Sequence, residues 1–444
     1  MKCGAYEMQI TPCIGTTLPG YFEFRYADDI LDELYAKAVI FDNGELVTGF
    51  VALDILHVNA RMVEMIRDRF EKLTGIKGTN LMVTGTHTHT GLPMEYNDEF
   101  SIVDEDWIKF TCTKAADCAY IAYKHRKDCH IGYGYTEEYE LSFNRRFWQK
   151  DGVVRTWPGI CNPANVKEAG PVDPAIDVLR IDDLDCNPIA VITCFANHLD
   201  MIGGTAFSAD YPGELSRSLK QALGMEVVSL FLNGFCGDIT HIDYNGKHPF
   251  GKNGHIKCGR ILANDVLSIY DSILCIDTNE LGCNSAVKVI DRRQPTKEMY
   301  EWGKAYLAGE IEKAEEAIEE GDYEKPSTGD NELMERSYAK CNVNLYENPI
   351  LNEKVELQVI KVGDVYFNGA PGEIFAELSF DLKEKSANER NVNVELANGC
   401  YGYIATKKAF SEGGYEVTLD RYVNMSEDTG DIMVDTLVEL QKDL

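Results

Sequence analysis

The chain has 444 residues, 44% of them hydrophobic, with 43 Lys+Arg against 73 Asp+Glu, giving a net charge of −30. It is long enough to bury a large core. Its charge repels nucleic acid and anionic membranes, so neither is an expected partner. The amino-terminal MKCGAYEMQITPCIG has no basic region followed by an apolar one, and no run of about 18 apolar residues occurs, so neither a signal peptide nor a membrane span or anchor is expected. The fourteen cysteines are scattered, with no Cys-x-x-Cys pair, and read as free thiols of a cytoplasmic protein.

The patterning predicts a strand over 6–11, then a Pro/Gly-rich loop, TPCIGTTLPGYFEFR, of the kind that crosses sheet ends and lines sites. Strands over 36–42 and 45–54 flank Asn43-Gly44, a hairpin dipeptide. Asn59 caps a helix over 60–73 that Gly75 stops. A strand over 80–84 completes a βαβ-like passage and delivers Thr86-His87-Thr88-His89 to a strand's C-terminal end, where open α/β sheets bind ligands. Alternate residues of an extended chain face one way, so His87 and His89 share a side. Two imidazoles on one side are half of a zinc site, although two polar residues that merely hydrogen-bond have the same spacing. Asp54 and His57, near the same sheet end, read either as partners that orient a ligand histidine or as an ordinary turn.

A helix over 104–128 packs through Ala115, Ala116, Ala119 and Ala122, and a strand over 130–140 follows. Asn144-Arg145-Arg146 falls in a loop near Trp148 and Trp157. Of two strands over 176–182 and 188–196, the second exits on Asn197-His198. Ser208 or Asp210 caps the next helix, with Pro212 in its first turn. A strand over 226–232 ends in Asn233-Gly234-Phe235-Cys236-Gly237-Asp238, and a helix spans 254–274. The residues over 298–325 form a charged, solvated helix within an excursion of about 295–345. Strands over 355–362 and 364–368 lead to Ala370-Pro371-Gly372-Glu373, which puts Glu373 at the start of a helix over 374–383. A strand over 391–397 leads to Tyr401 and Tyr403, and an acidic helix over 430–440 follows. His125, His130, His248 and His255 have no partner pattern and read as surface residues. The expected fold is α/β, with mixed sheets and flanking helices in one large domain spanning 1–444.

The strand exits thus carry His87 and His89, His198, Asp238, Glu373, and Tyr401 and Tyr403. Two or three nitrogens plus one carboxylate, with a position left for water, make a catalytic zinc set. In chain order HTHTG, FANH, NGFCGD, APGE, NGCYGYIAT and GGYE resemble the catalytic domain of the neutral ceramidase family over nearly the whole chain. That resemblance implies one zinc held by His87, His198, Glu373 and Tyr403, with Tyr415 assisting. It also implies that His89 hydrogen-bonds near the substrate and that Arg145, beside Asn144, anchors substrate or oxyanion. The implied reaction is attack of metal-activated water on an amide (N-acyl) or ester carbonyl. Arg145, His89 or Tyr415 would steady the oxyanion, and His89, Asp238 or His241 would carry the proton. A tyrosine ligand must ionise, and contact with the metal supplies the drive.

The chain departs from the family at two places in the site. A Gly-Asp-x-Ser-Pro segment is here Gly237-Asp238-Ile239-Thr240-His241, so Thr240 keeps a hydroxyl where the family has its serine. Bulky Met94, Glu95 and Tyr96 follow the HTHT segment where the family has small residues. No C-terminal immunoglobulin-like domain is expected. These departures point to a small-molecule partner with an acyl or polar group, smaller or more polar than ceramide. Two other classes fit the same residues. One is a carbohydrate-directed metal-dependent hydrolase or lyase, with Tyr21, Tyr96, Trp148 and Trp157 stacking on sugar rings. The other is a non-catalytic protein that binds a metal or ligand.

Overall fold

The apolar runs between turn signals become the strands of two stacked sheets. The computed structural model describes residues 1–94, 100–249, 251, 253–311 and 332–444. Strands β1 (Lys2–Gln9), β2 (Tyr35–Asp42), β3 (Val47–Leu53), β4 (Leu81–Gly85), β5 (Lys127–Glu137), β6 (Ala175–Asp183), β7 (Pro188–Phe195) and β8 (Val228–Asn233) form one sheet, ordered β8-β7-β6-β5-β1-β2-β3-β4. Its interior pairs are antiparallel, and the pairs at both edges, β3 with β4 and β7 with β8, are parallel. Parallel neighbours need a crossover. Helix α1 (Ala60–Thr74) supplies one and α3 (Tyr211–Leu223) the other. A second sheet, ordered β9-β10-β11-β12, comprises β9 (Leu281–Asp291), β10 (Asn352–Val362), β11 (Val365–Gly369) and β12 (Asn391–Val394). The remaining helices are α2 (Glu105–Lys124), α4 (Gly254–Tyr270), α5 (Lys297–Leu307), α6 (Glu332–Glu347), α7 (Ala376–Lys385), α8 (Lys407–Glu412) and α9 (Thr429–Gln441).

The layers run helix, sheet, sheet, helix. Phe41, Phe50, Met82, Leu179 and Leu230 of the larger sheet meet Ile360, Phe367 and Val392 of the smaller one. The Phe50 and Phe367 rings lie 4.7 Å apart. On the outer face of the larger sheet, α1 and α2 cover Val51 and Leu53, while α3 and α4 cover Val178 and Val191. Helix α9 covers Leu357 and Val359 of the smaller sheet through Met433 and Leu437. Among the described residues no helix is long and apolar enough to cross a membrane. None of the fourteen cysteines forms a disulfide.

The larger sheet coils strongly. Beyond pairing with β7, strand β8 packs against β2, β3 and β4 from the opposite side of the strand order. The exits of β4 and β7, far apart in that order, therefore run side by side. A parallel bridge joins Thr88 to Leu199, and the His89 amide donates to the Leu199 carbonyl at 3.1 Å.

Several elements follow their predicted chemistry. Asn59 caps α1 by accepting from the Met62 amide, and Gly75 ends it at φ 75°. Asp210 caps α3 with Pro212 in the first turn. Others differ. Helix α2 stops at Lys124, because the chain then enters β5, pairing with β1 at Lys127 and Asp128 and with β6 from Cys129 to Glu137. Glu373 does not begin a helix. With Ile374 it forms a two-residue strand parallel to Tyr403–Ile404, and α7 starts only at Ala376. Asn144 and Arg146 belong to short ladders rather than a free loop. Strand β9 escapes prediction because its Val287 and Val289 face solvent, and its ladder with β10 holds it in place. His255 is buried rather than at the surface. Of the predicted charged helix, residues 312–325 lie outside the described residues, and its first part is α5.

Candidate metal centre

Each predicted ligand is aimed by its local backbone. The chain turns sharply two residues past β4, where His87 holds φ 83°, a left-handed conformation costly for a side chain with a Cβ. Its amide donates to the Ile55 carbonyl, and Nδ1 lies 3.0 Å from the Leu56 carbonyl. Nδ1–H donating there leaves Nε2 with a free lone pair pointing inward. His198, past the end of β7, repeats the device more loosely, with Nδ1 3.4 Å from the Cys236 carbonyl. Backbone carbonyls thus orient both rings. Asp54 instead accepts from the Tyr35 amide at 2.9 Å and from Thr86 at 3.4 Å, and sits beneath the turn.

Three donor atoms converge. His87 Nε2 lies 3.2 Å from His198 Nε2, and each lies 3.3 Å from Glu373 Oε2. Donors bound about 2.0–2.1 Å from a tetrahedral zinc are about 3.3–3.4 Å apart, so this near-equilateral triangle has the edge length of a zinc coordination face. Glu373 Oε2 has no hydrogen-bond donor although it is fully buried. Burial works against a charge on Glu373, but His87 and His198 outweigh it and hold the carboxyl well below its ordinary range. An ionised carboxylate and two inward-facing imidazoles are what a divalent metal requires. His87, His89 and His198 also form one buried group whose ligand atoms lie within 4.8 Å of one another.

The parallel pairing of Glu373–Ile374 with Tyr403–Ile404 sets Tyr403 directly opposite Glu373. Burial and then the Glu373 charge push the Tyr403 phenol well up, although the Arg145 guanidinium, 5.2 Å from the ring, opposes the shift. The Tyr401 hydroxyl is spent on the Lys354 carbonyl. Tyr415 stands over Tyr403 with rings 5.5 Å apart, and Trp157 lies 4.9 Å beyond it.

His89 lies beside the triangle, and both its ring nitrogens are buried and unpartnered. Burial first, and then His87, hold its pKa well below the usual value, so its imidazole is neutral. Tyr21 packs on it at 4.9 Å. Gly20 permits that approach, since a Cβ there would stand 2.4 Å from His89 Nδ1. Arg145 is buried, with Nε on Glu416 at 2.8 Å, Nη2 on the Gly237 carbonyl at 2.9 Å, and Nη1 3.3 Å from His198 Nε2.

In the Asp238-Ile239-Thr240-His241 segment the polar side chains are hydrogen-bonded to surrounding protein. Asp238 accepts from Asn144 at 2.7 Å and from the Ala376 amide at 2.9 Å, which braces the start of α7. Thr240 Oγ1 accepts from the Ile242 amide at 3.3 Å. His241 pairs with Asp200 at 3.0 Å.

Two cavities meet here. One, of about 140 Å³, is lined by His87, His89, Glu373, Tyr403 and Tyr415, with Tyr21, Phe22, Met94 and Phe100 at its sides. The other, a polar cleft of about 500 Å³, is lined by Arg61, Glu105, Arg292, Glu353 and Tyr401. Met94, Arg421 and Tyr422 line both. Glu95 and Tyr96 lie outside the described residues.

Sequence reasoning missed two buried acids. Glu395 receives the Cys236 and Ile374 amides at 2.9 and 3.0 Å on Oε2 and the Cys236 thiol at 3.0 Å on Oε1, and burial raises its pKa to about 7. Glu416 receives Arg145 and, at 2.7 Å, Thr156. The only advance signal for Glu395 was an acid in the apolar run NVNVELANG.

No family model and no curated protein matches this sequence. Solved structures do match. The crystal structure of neutral ceramidase from Pseudomonas aeruginosa matches with a TM-score of 0.73 at 17% identity, covering 100% of this chain and 75% of that one. A ceramidase complexed with C2 matches with a TM-score of 0.75 at 16% identity, covering 99% of this chain and 74% of that one. The chain has the neutral ceramidase fold. Within that fold, the buried histidine cluster at the ends of β4 and β7 can hold a metal.

Proposed function

We propose that this protein is a zinc-dependent hydrolase that cleaves the amide or ester bond of a small or polar N-acyl substrate. The carrying observation is the triangle of His87 Nε2, His198 Nε2 and Glu373 Oε2 at 3.2–3.3 Å, with Oε2 buried and without a donor. A ceramidase-like reaction is further supported by the shared fold. When bound, zinc supplies Lewis acidity, which polarises a carbonyl and makes water acidic enough to attack at neutral pH.

The chain's own residues supply the rest. His87, His198 and Glu373 hold the metal, with Tyr403 opposite Glu373 in the wall of the same cavity. The neutral His89 imidazole faces that cavity with no protein partner and takes or returns the proton of the reacting groups. Arg145 is locked by Glu416 and Gly237, so it adds positive potential beside a developing oxyanion. The Tyr415 hydroxyl donates from the cavity wall. Asp238 and Thr240 serve this reading as braces for α7 and the 239–242 turn.

The dimensions favour a short acyl group. The space over the donors is about 140 Å³ and walled by aromatic rings and Met94, while the adjoining cleft is polar. The test has two parts. Metal analysis of the purified chain is expected to find one zinc, absent from His87→Ala and His198→Ala. A hydrolysis screen over N-acyl amino acids, short and long N-acyl lipids and glycosides is expected to favour the polar N-acyl compounds. A chain without stoichiometric metal, or alanine variants that keep full activity, would overturn the proposal. Turnover of glycosides alone would instead select the carbohydrate reading.

A further inference from the structure

We propose that Tyr422 is a positioning residue that selects which oxygen of Glu373 meets the metal. The inference rests on the metal reading above. Glu373 has two carboxylate oxygens, and they are treated differently. Oε1 accepts a hydrogen bond from the Tyr422 hydroxyl at 2.8 Å, whereas Oε2 has no donor and lies 3.3 Å from each histidine nitrogen. A carboxylate with both oxygens unheld can rotate, ligate through either, or chelate through both. A phenol fixed on one oxygen removes that freedom and leaves a single aimed donor.

Tyr422 is itself held on several sides. Its ring meets Tyr403 edge-on at 5.8 Å and His57 at 5.9 Å. Its main chain presses on Gly402, where an added Cβ would stand 1.6 Å from the Tyr422 carbonyl oxygen. Gly402 precedes Tyr403, so one contact ties the positions of both tyrosines. The Tyr422 oxygen also lies 2.9 Å from Cys400 Sγ. A hydroxyl has one proton, and here it goes to Glu373, so the thiol is the donor in that second bond. The result is a relay of hydrogen bonds, Cys400 to Tyr422 to Glu373, running from the wall of the polar cleft to the metal centre. Tyr422 lines both cavities, so the side chain that aims the ligand also forms part of the wall between them.

The test is zinc affinity of the metal-free chain, read by competition with a chromophoric chelator. Tyr422→Phe keeps the ring contacts and removes only the hydroxyl. It is expected to weaken zinc binding by about 10–100-fold, while the thermal midpoint of the metal-free chain moves by no more than a few degrees. Cys400→Ala leaves the Tyr422–Glu373 bond in place and is expected to hold affinity within about twofold. If Tyr422→Phe is unstable because the Cys400 thiol loses this acceptor, Tyr422→Phe/Cys400→Ala removes that thiol and carries the same expectation. Unchanged affinity in the Phe variant, or an equal loss in Cys400→Ala, would overturn the inference and leave the metal reading intact. A parent chain that binds no zinc would overturn both.

Discussion

At one edge of the larger sheet, β3, α1 and β4 form a parallel unit whose last strand runs into His87. At the other, β7, α3 and β8 form a second parallel unit whose first strand runs into His198. Both histidines lie past the C-terminal end of a parallel strand, where open sheets bind ligands. They reach that place differently. His87 adopts φ 83° and is oriented tightly from a carbonyl in the loop before α1. His198 has no such backbone outlier, takes its carbonyl from the loop after β8, and lies against Arg145. Of the two histidines, His87 therefore carries the strained backbone and His198 the neighbouring buried charge. The comparison teaches that a ligand set can be assembled from two similar units only if the sheet coils enough to lay their exits together, and the Thr88–Leu199 bridge is that seam.

The strongest way to break the comparison is to remove each histidine. His87→Ala and His198→Ala are both expected to abolish stoichiometric zinc and to lower kcat/KM by at least about 10⁴-fold. If one variant keeps its metal, the two edges do not contribute equally, and the triangle is not the ligand set.

Acid linkage separates the edges next. Burial raises Asp210, at the second edge, to about 7 and Asp54, at the first, to about 6, against an ordinary value of about 3.9. The folded chain thus keeps protons that the unfolded chain releases. Their stabilisation is complete below about pH 4 and is lost as pH rises through about 7 for Asp210 and about 6 for Asp54. At most this amounts to about 4 and about 3 kcal/mol. Urea unfolding of metal-free Asp210→Asn should show a flatter stability profile between pH 4 and 7, and Asp54→Asn only between pH 4 and 6. A profile parallel to the parent's in either variant would remove that carboxyl from the account.

Within the first edge, His89 sharpens the role of His87. His89→Ala is expected to keep its zinc and lose about 10²-fold in kcat. Loss of metal in that variant would instead make His89 a ligand, which the grouping of the three histidines within 4.8 Å permits. The smallest effect concerns the scaffold. Asn59→Ala removes the cap of α1 and should cost about 1 kcal/mol of stability without altering zinc stoichiometry.

Much of this arrangement could be read in advance because it depends on local chemistry. Asn43-Gly44 specified its hairpin, Asn59 and Gly75 bounded α1, and Pro212 marked the start of α3, since turn, cap and proline preferences act over a few residues. The histidines of HTHT and FANH were recognisable as strand exits for the same reason. Glu373 was harder. Its neighbours suggested a helix start, whereas a two-residue ladder with Tyr403, thirty positions later in the chain, decides where it points. Glu395, Glu416 and Tyr422 gave almost no signal, because their roles exist only through partners distant in sequence.

By itself, then, the sequence determined many of the elements, their caps and which strand exits carry the histidines, because propensity and hydrophobic period are short-range properties. Only the tertiary structure decided that His87 and His198 meet at 3.2 Å, that Glu373 turns one oxygen to them and the other to Tyr422, and that Asp238 and Thr240 accept from the Ala376 and Ile242 amides. Those outcomes depend on how far the larger sheet coils and how the second sheet packs against it. That packing is a sum of many weak contacts between residues far apart in the chain, and no local pattern encodes it.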